Sequence, residues 1–295
     1  MKMAAFEYHR PTSLDEALAL LAEHGPEAKV LAGGQSLVPM LAMRLATPAH
    51  VIDIGAVAGL DRITLGDVAV ELGATVRHAA AERSTVVAER TPLLAAALPW
   101  IGHRAIRNRG TVCGSLAHAD PAGELPAVAL ALGAVFVLQS ARATREVAAA
   151  DFFEGYLSTS AAEDELLTAV RFPVVVGTSG CSVMELSRRH GDFALAGVAC
   201  QVRFAKSGRI DDVALAFFGV ADTPVRIDEA EALLRGGPPS ARAFASAAAA
   251  ASAAVRPSDD AHATAAYRRH VAGVLTRRAL QAATADAGQT MEEVA

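Results

Sequence analysis

The sequence predicts a protein of the α+β class, and two patterns lead to that prediction. From about Arg62 to Arg171, short apolar runs typical of strands alternate with segments of helical periodicity. Beyond residue 180, strand-like runs come first and helical segments follow. With 295 residues and 52% hydrophobic content, the chain can bury a substantial core in roughly one to three domains.

The first predicted elements form a β-α-β-α-β pattern over residues 1–56. A short strand near Phe6–Tyr8 precedes a helix that a Ser-x-x-Glu capping box, Ser13 to Glu16, begins. The strand Lys29–Ala32 runs into Gly33-Gly34, and a second helix begins at Ser36 with Pro39 in its first turn. The strand Val51–Ile54 completes this predicted first subdomain.

Residues 57–176 predict a second subdomain. Ile63–Leu65 and Val68–Leu72 are expected to pair as a hairpin around Gly66-Asp67. Helices are predicted over Leu93–His103 and from Asp120-Pro121 onwards, and strands over Ala134–Leu138 and Leu166–Phe172.

A C-terminal domain is predicted over residues 177–288, because Gly177-Thr178-Ser179-Gly180 interrupts the pattern within Val174–Ser182. Strands are expected over Ser182–Leu186, Gly197–Phe204 and Asp212–Phe218. Helices are expected from Ile227 to about Ala287, with the Ala-rich run Ala245–Ala254 as a packed helix. Residues 289–295 are expected to form a frayed tail.

Charge and cysteine usage exclude several function classes. The net charge of −5 argues against general binding to nucleic acid or to an anionic membrane. No apolar stretch reaches the roughly 20 residues of a membrane-spanning helix, and the start MKMAAFEYHRP lacks a signal core, so a cytoplasmic protein is expected. Cys113, Cys181 and Cys200 lie far apart, so neither an iron–sulfur cluster in this chain nor a disulfide framework is predicted. HExxH, Walker A and GxGxxG sequences are absent, and no metal site is predicted.

Two glycine loops are the candidate ligand site. In Ala32-Gly33-Gly34-Gln35-Ser36 a strand ends and a helix begins, which exposes backbone N–H groups that favour a phosphate. Thr111-Val112-Cys113-Gly114-Ser115 repeats the arrangement after Gly110. Each loop alone is equally well explained as a tight turn without a ligand, whereas two such loops in one domain can hold a pyrophosphate from both sides.

Basic residues cluster at Arg104, Arg107 and Arg109, just before the second loop. Three interpretations stay open at this point. The cluster is a solvated helix end, the rim of an anion-binding pocket, or a docking patch for another protein.

Three longer runs resemble a known family. AGGQSLVPMLAMRL at 32–45, NRGTVCGSLAHADPAGELP at 108–126 and SRRHGDFALAGVA at 187–199 closely resemble the FAD-binding medium subunits of the carbon monoxide dehydrogenase and xanthine dehydrogenase family of molybdenum hydroxylases. The resemblance covers nearly the whole chain in order. It implies a two-subdomain FAD-binding domain of the vanillyl-alcohol oxidase (PCMH) type, followed by a smaller C-terminal domain with a three-stranded antiparallel sheet and helices.

The same resemblance implies a function and partners. The chain would bind FAD and pass electrons from 2Fe–2S clusters to an external acceptor. The clusters would belong to a small partner subunit, and a large molybdopterin subunit would hydroxylate the substrate. A dimer of heterotrimers is expected, and no side chain of this subunit is expected to be catalytic.

Matching positions to the family's motifs implies a set of FAD-binding residues. The pyrophosphate would lie along Lys29, Val30, Leu31, Ala32, Gly33, Gly34, Gln35 and Ser36, with opposing contacts from Thr111, Val112, Cys113, Gly114 and Ser115. Glu124 would accept hydrogen bonds from the adenosine ribose, and Asp120 either assists or serves as a helix N-cap. Ile101, Leu167 and Phe193 would pack against the cofactor, although a lone aromatic such as Phe193 is equally well explained as a core residue.

Two positions depart from the family pattern. Relatives often carry glycine at Cys113, where a packing role is favoured over a redox role because no charged neighbour in the motif favours a thiolate. Some relatives carry lysine near Glu185, so an acidic residue there puts an NAD-type acceptor contact in doubt. Two rival functions stay open, a self-sufficient flavin oxidase or dehydrogenase of the vanillyl-alcohol oxidase type and a flavin-free scaffold subunit.

Overall fold

The N-terminal unit is a small parallel sheet with two helices. In a computed structural model, residues 2–291 are described, and the first elements are β1 (Glu7–His9), α1 (Leu14–His24), β2 (Ala28–Leu31), α2 (Leu37–Met43) and β3 (His50–Asp53). The strands are ordered β1-β3-β2. The Ser13 hydroxyl accepts a hydrogen bond from the Glu16 amide at 3.2 Å, which starts α1, and Leu18 and Leu21 of this helix pack with Ile52 of β3.

The central unit contains a five-stranded antiparallel sheet in the order β4-β5-β10-β6-β7. In chain order its elements are β4 (Ile63–Leu65), β5 (Ala69–Gly73), α3 (His78–Glu82), α4 (Thr85–Arg90), α5 (Pro92–Ala97), α6 (Arg104–Arg107), α7 (Val112–His118), α8 (Glu124–Leu132), β6 (Val135–Gln139), β7 (Thr144–Ala148), α9 (Ala149–Phe152), β8 (Phe153–Gly155), β9 (Ser158–Thr159) and β10 (Leu166–Pro173). Apolar side chains of the sheet and of α5, α7 and α8 form one buried core.

Two predicted helices of this unit start or end elsewhere. The single helix predicted over Leu93–His103 is wrong. Here α5 ends at Ala97, a 3-10 turn covers Leu98–Trp100, and Gly102 has a φ of 48° before α6 begins. The helix predicted from Asp120 begins instead at Glu124, because the Asp120 carboxylate accepts the Ala122 amide at 2.9 Å in a turn.

The C-terminal unit has strands followed by helices, as the sequence predicts. Its elements are β11 (Thr178–Ser187), β12 (Ala194–Phe204), β13 (Ile210–Phe218), β14 (Val225–Arg226), α10 (Asp228–Ala232), α11 (Ala241–Ala254) and α12 (Ala265–Asp286). The sheet is antiparallel in the order β11-β12-β13-β14, so a short fourth strand joins the predicted three.

Thr178–Gly180 belongs to β11 and not to a break in the pattern. A Cβ at Gly180 would lie 1.9 Å from the Ala283 carbonyl oxygen, so glycine is required where α12 packs on the strand. The glycine that suggests a loop in the sequence therefore marks a helix–strand contact.

The C-terminal sheet is covered on both faces. Ala214, Ala216 and Phe218 of β13 join the core of the central unit, whereas Val213 and Leu215 and their neighbours pack against α11 and α12. Because successive strand residues point to opposite faces, one strand serves two cores.

None of the helices within residues 2–291 combines the length and apolar composition needed to cross a bilayer. Of the predicted tail 289–295, residues 292–295 lie outside the described part of the chain.

Candidate functional site

The first glycine loop joins β2 to α2. Gly34 has a φ of 74°, a conformation that side chains with a Cβ rarely adopt, and Ser36 is the residue preceding α2. Gln35 folds back, with its Nε2 donating to the Gly33 carbonyl at 3.2 Å. The turn thus presents backbone at the start of a helix.

The second loop is the start of α7. The Thr111 hydroxyl accepts the Gly114 amide at 3.1 Å and so caps the helix. Val112 and Cys113 are buried, and the Cys113 Sγ lies 3.5 Å from the Leu72 carbonyl oxygen. Burial raises the pKa of this thiol well above its usual range. Side-chain contacts from Val112 and Cys113 to a ligand are therefore excluded. The Val112 amide already donates to the Val76 carbonyl at 3.0 Å, which leaves the backbone amide of Cys113.

The two loops touch each other directly. A Cβ on Gly33 would lie 2.7 Å from the Arg109 carbonyl oxygen and from the Gly110 Cα, and 2.9 Å from the Thr111 nitrogen. Glycine at position 33 is thus required by loop–loop packing. The sequence suggests a different reason, close approach to a phosphate.

His78 contacts the second loop through its ring and its backbone. Its Nε2 lies 3.0 Å from the Ser115 hydroxyl, and its backbone amide donates to the Gly110 carbonyl at 2.9 Å. Burial lowers the pKa of His78 to about 4, so the ring is neutral at pH 7. No sequence signal marks this residue, since it stands alone before an alanine-rich turn.

A cavity of about 640 Å³ lies beside the first loop. Leu31 to Gln35 line part of it, and Arg10, Arg77 and Arg109 line it from three separate segments, together with Asp53. An Arg77 guanidinium N–H donates to the Arg109 carbonyl, and burial with the nearby Arg109 charge lowers the pKa of Arg77. Three arginines against one aspartate, beside the backbone at the start of a helix, favour a multiply charged anion.

The arginine cluster of the sequence divides in the structure. Arg109 lies at the cavity, which favours the anion-pocket interpretation for this residue. Arg107 instead pairs with Glu82 at 2.9 Å and donates to the carbonyls of Pro99, Ile101 and Gly102. Arg10 and Arg77 were missed because nothing in their local sequence marks them.

Two half-buried glutamates lie between the central and C-terminal units. Burial raises the pKa of Glu124, at the start of α8, to about 7, and the Asp120 carboxylate adds to the effect. Burial raises the pKa of Glu185, on β11, to about 8, and Glu124 adds repulsion. Both Glu185 carboxylate oxygens are buried, and no residue of the described chain donates to them. Buried acceptors without donors are rare, so the Glu185 carboxyl indicates a ligand that carries hydrogen-bond donors.

The remaining predicted positions fall into two groups. Val30 packs in the N-terminal core and Leu167, 6% exposed, in the central core, so their side chains serve packing. Ile101 is buried beside Gly102, and the segment from Gly191 lies against that turn. Phe193 at the end of this segment is 68% exposed, which excludes the core interpretation.

Two further predicted side chains lie on the surface or in turns. Lys29 is exposed on β2, and Asp120 holds the turn before α8. Asp120 is therefore not the N-cap of α8, a position that Gly123 occupies.

Two family models match the chain. One describes an FAD binding domain in molybdopterin dehydrogenase and matches residues 4–175. The other describes the CO dehydrogenase flavoprotein C-terminal domain and matches residues 182–283.

Curated relatives align over almost the whole chain. The 6-hydroxypseudooxynicotine dehydrogenase complex subunit alpha of Paenarthrobacter nicotinovorans is 38% identical over 294 residues, which cover 100% of this chain and 99% of the relative. The carbon monoxide dehydrogenase medium chain of Hydrogenophaga pseudoflava is 38% identical over 281 residues, which cover 95% of this chain and 97% of the relative.

Solved structures share the fold. A chain of the Hydrogenophaga pseudoflava carbon monoxide dehydrogenase lacking the Mo-pyranopterin moiety superposes with a TM-score of 0.94 at 39% identity, covering 97% of this chain and 99% of that chain. A chain of quinoline 2-oxidoreductase from Pseudomonas putida 86 gives a TM-score of 0.92 at 34% identity, with 97% and 99% covered.

Proposed function

The chain belongs to the family of FAD-binding medium subunits of molybdenum hydroxylases, and from that membership we propose that it passes electrons from 2Fe–2S clusters of a partner subunit to an external acceptor. The predicted family, α+β fold and FAD cofactor are confirmed. The chain is an oxidoreductase subunit of a multi-subunit enzyme. The flavin-free scaffold alternative is thereby set aside.

The observation that carries the proposal is the meeting of two glycine loops beside a cavity with three arginines. FAD carries a doubly charged pyrophosphate, and this donor set fits that group. Bound FAD accepts electrons singly or in pairs, which is the chemistry that an electron relay requires.

The residues of this chain would bind and orient the cofactor. Arg10, Arg77 and Arg109 would neutralise the pyrophosphate, together with the backbone amides from Ala32 to Ser36. Thr111, Gly114 and Ser115 would complete the clasp through the second loop. We assign the main pyrophosphate contacts to the first loop because this loop lines the cavity directly.

The two ends of the cofactor, on either side of the pyrophosphate, would meet side chains beyond the two loops. Glu124 would accept hydrogen bonds from the adenosine ribose, the role that the family resemblance implies, and burial already raises the pKa of its carboxyl. The exposed ring of Phe193 would pack on the flavin ring, and Ile101 would contact the cofactor from the neighbouring turn. Glu185 would accept a hydrogen bond from a donor group on the cofactor. The lysine that some relatives carry near this position would instead donate a hydrogen bond and carry a positive charge.

The proposed assembly is a heterotrimer that pairs into a dimer, in the cytoplasm. A large molybdopterin subunit would hydroxylate the substrate, and a small subunit would hold the 2Fe–2S clusters. This chain would hold the flavin within reach of a cluster.

Anaerobic flavin reduction tests the proposal. The isolated FAD-loaded chain should keep its oxidised flavin spectrum when carbon monoxide, an aldehyde or an N-heterocycle is added. Adding the prereduced small subunit should bleach the flavin. Turnover of a small donor by the isolated chain would instead support a self-sufficient oxidase, and no bleaching by the reduced small subunit would refute the relay.

A further inference from the structure

Three histidines from separate elements meet in the N-terminal unit. His9 ends β1, His24 ends α1 and His50 begins β3. One ring nitrogen from each lies within 4.8 Å of the other two, and the His9 Nε2 is 3.0 Å from the His50 Nδ1. The rings of His24 and His50 stack at 3.7 Å with an angle of 7°.

The fold places these side chains on one face of the small sheet. Glu7 is paired in register with His50, and His9 follows two residues later on the same strand. Residues two apart share a face, so Glu7, His9 and His50 all lie on the face that α1 covers. Ile52 on this face packs with α1, and the C-terminal end of α1 brings in His24.

The cluster is separate from the flavin site. Asp53, one residue beyond Ile52, points to the opposite face and lines the cavity beside the glycine loop. Nothing in the proposed electron transfer uses His9, His24 or His50.

The geometry suits a metal ion. Zn²⁺ binds imidazole nitrogen at about 2.0–2.1 Å, which places tetrahedral ligand atoms about 3.3 Å apart. The 3.0 Å separation between His9 and His50 is close to that spacing, and small rotations about the side-chain bonds would bring His24 to it. One Glu7 carboxylate oxygen lies 3.9 Å from the His9 Nε2 and the other 3.9 Å from the His50 Nδ1. Glu7 lies just outside the three-histidine group, and rotation of its exposed side chain can place one oxygen as a fourth ligand.

The cluster is also accessible. The side chains of His9 and His50 are 15% and 17% exposed, and that of Glu7 is 68% exposed. An ion can therefore enter from solvent while the rings stay packed.

We propose that His9, His24 and His50, with Glu7, form a binding site for a Zn²⁺ ion. Imidazole and carboxylate are ligands that Zn²⁺ favours, and three histidines with one acid give a complete tetrahedral set. The ion joins β1, β3 and the end of α1, so it fastens the first strand to the unit that carries the first glycine loop. The sequence does not predict this site because the histidines have no metal-motif spacing.

Zinc titration of the chelator-treated, FAD-loaded chain tests the site. Competition with a chromophoric chelator should give about one equivalent of Zn²⁺ bound, with a Kd of about 1 μM or tighter. Saturating Zn²⁺ should also raise the Tm, because an ion that binds only the folded state stabilises it. No stoichiometric binding by the unaltered chain would overturn the proposal.

Variants assign the binding to these residues. His50→Asn should weaken Zn²⁺ at least tenfold and abolish the rise in Tm, while its FAD content stays unchanged. The matched control is His270→Asn, at an exposed histidine on α12, which should bind Zn²⁺ like the unaltered chain. If His50→Asn does not fold, His24→Asn removes a ligand without altering either strand. A folded variant at position 24 or 50 that keeps full zinc affinity would refute the assignment.

Discussion

Gly33→Ala should weaken FAD binding by separating the two glycine loops. The added Cβ would lie 2.7 Å from the Arg109 carbonyl oxygen and the Gly110 Cα. Favourable contacts between carbon atoms lie at about 3.5–4.0 Å, so the loops must move apart by about 1 Å. Both sides of the contact are backbone, and no side chain can rotate out of the way.

The magnitude follows from the cost of overpacking, which is about 1–3 kcal/mol. If FAD binds only when the loops are in contact, this cost is subtracted from the binding free energy. With 1.4 kcal/mol for each factor of ten, the Kd should rise roughly 5- to 150-fold.

Flavin fluorescence titration of the FAD-free chain measures this change. The matched control is Gly155→Ala in β8, where an added Cβ meets nothing within 4 Å. A Gly33→Ala chain that binds FAD as tightly as the Gly155→Ala chain would show that loop contact does not govern affinity.

Three further predictions concern buried polar groups. Burial lowers the pKa of His78 from 6.5 to about 4 in the folded state, so the free energy of unfolding should be highest above pH 6.5 and fall by about 3 kcal/mol towards pH 4. Urea unfolding of His78→Phe should lack this acid-dependent loss, and a pH profile equal to that of the unaltered chain would contradict the prediction. Burial raises the pKa of Glu185 to about 8, so the FAD-free chain should lose stability as pH rises from 4.5 to 8. The Tm of Glu185→Gln should fall less over that range, and an equal fall in Tm for the variant and the unaltered chain would contradict the prediction. Glu124→Ala should weaken FAD by roughly 1–3 kcal/mol in the same fluorescence titration, the scale of a hydrogen bond to a charged group, and unchanged affinity would remove Glu124 from the site.

Local signals made part of this site predictable from the sequence. A strand, a glycine turn and a helix start follow one another at Gly33-Gly34, and backbone geometry of this kind is encoded within a few residues. The capping box at Ser13 and Glu16 is equally local, and the structure contains its hydrogen bond.

Features that depend on tertiary contacts were not predictable. Arg10, Arg77 and His78 reach the loops from segments far away along the chain. No local sequence pattern predicts where their side chains point. Gly180 resembles a loop residue in sequence, yet a helix near the C-terminus of the chain requires it. At such positions tertiary packing, and not intrinsic propensity, decides the local conformation.

Because both faces of the C-terminal sheet are covered, the C-terminal unit cannot be separated from the central unit without exposing apolar surface. Cutting the chain before β11 would uncover the side of β13 that carries Ala214, Ala216 and Phe218, and would expose the partner core on α8. Each fragment would then present a continuous apolar surface, which promotes aggregation. The central and C-terminal units share this core, so they should unfold in one transition, and neither fragment should stay soluble when it is expressed by itself.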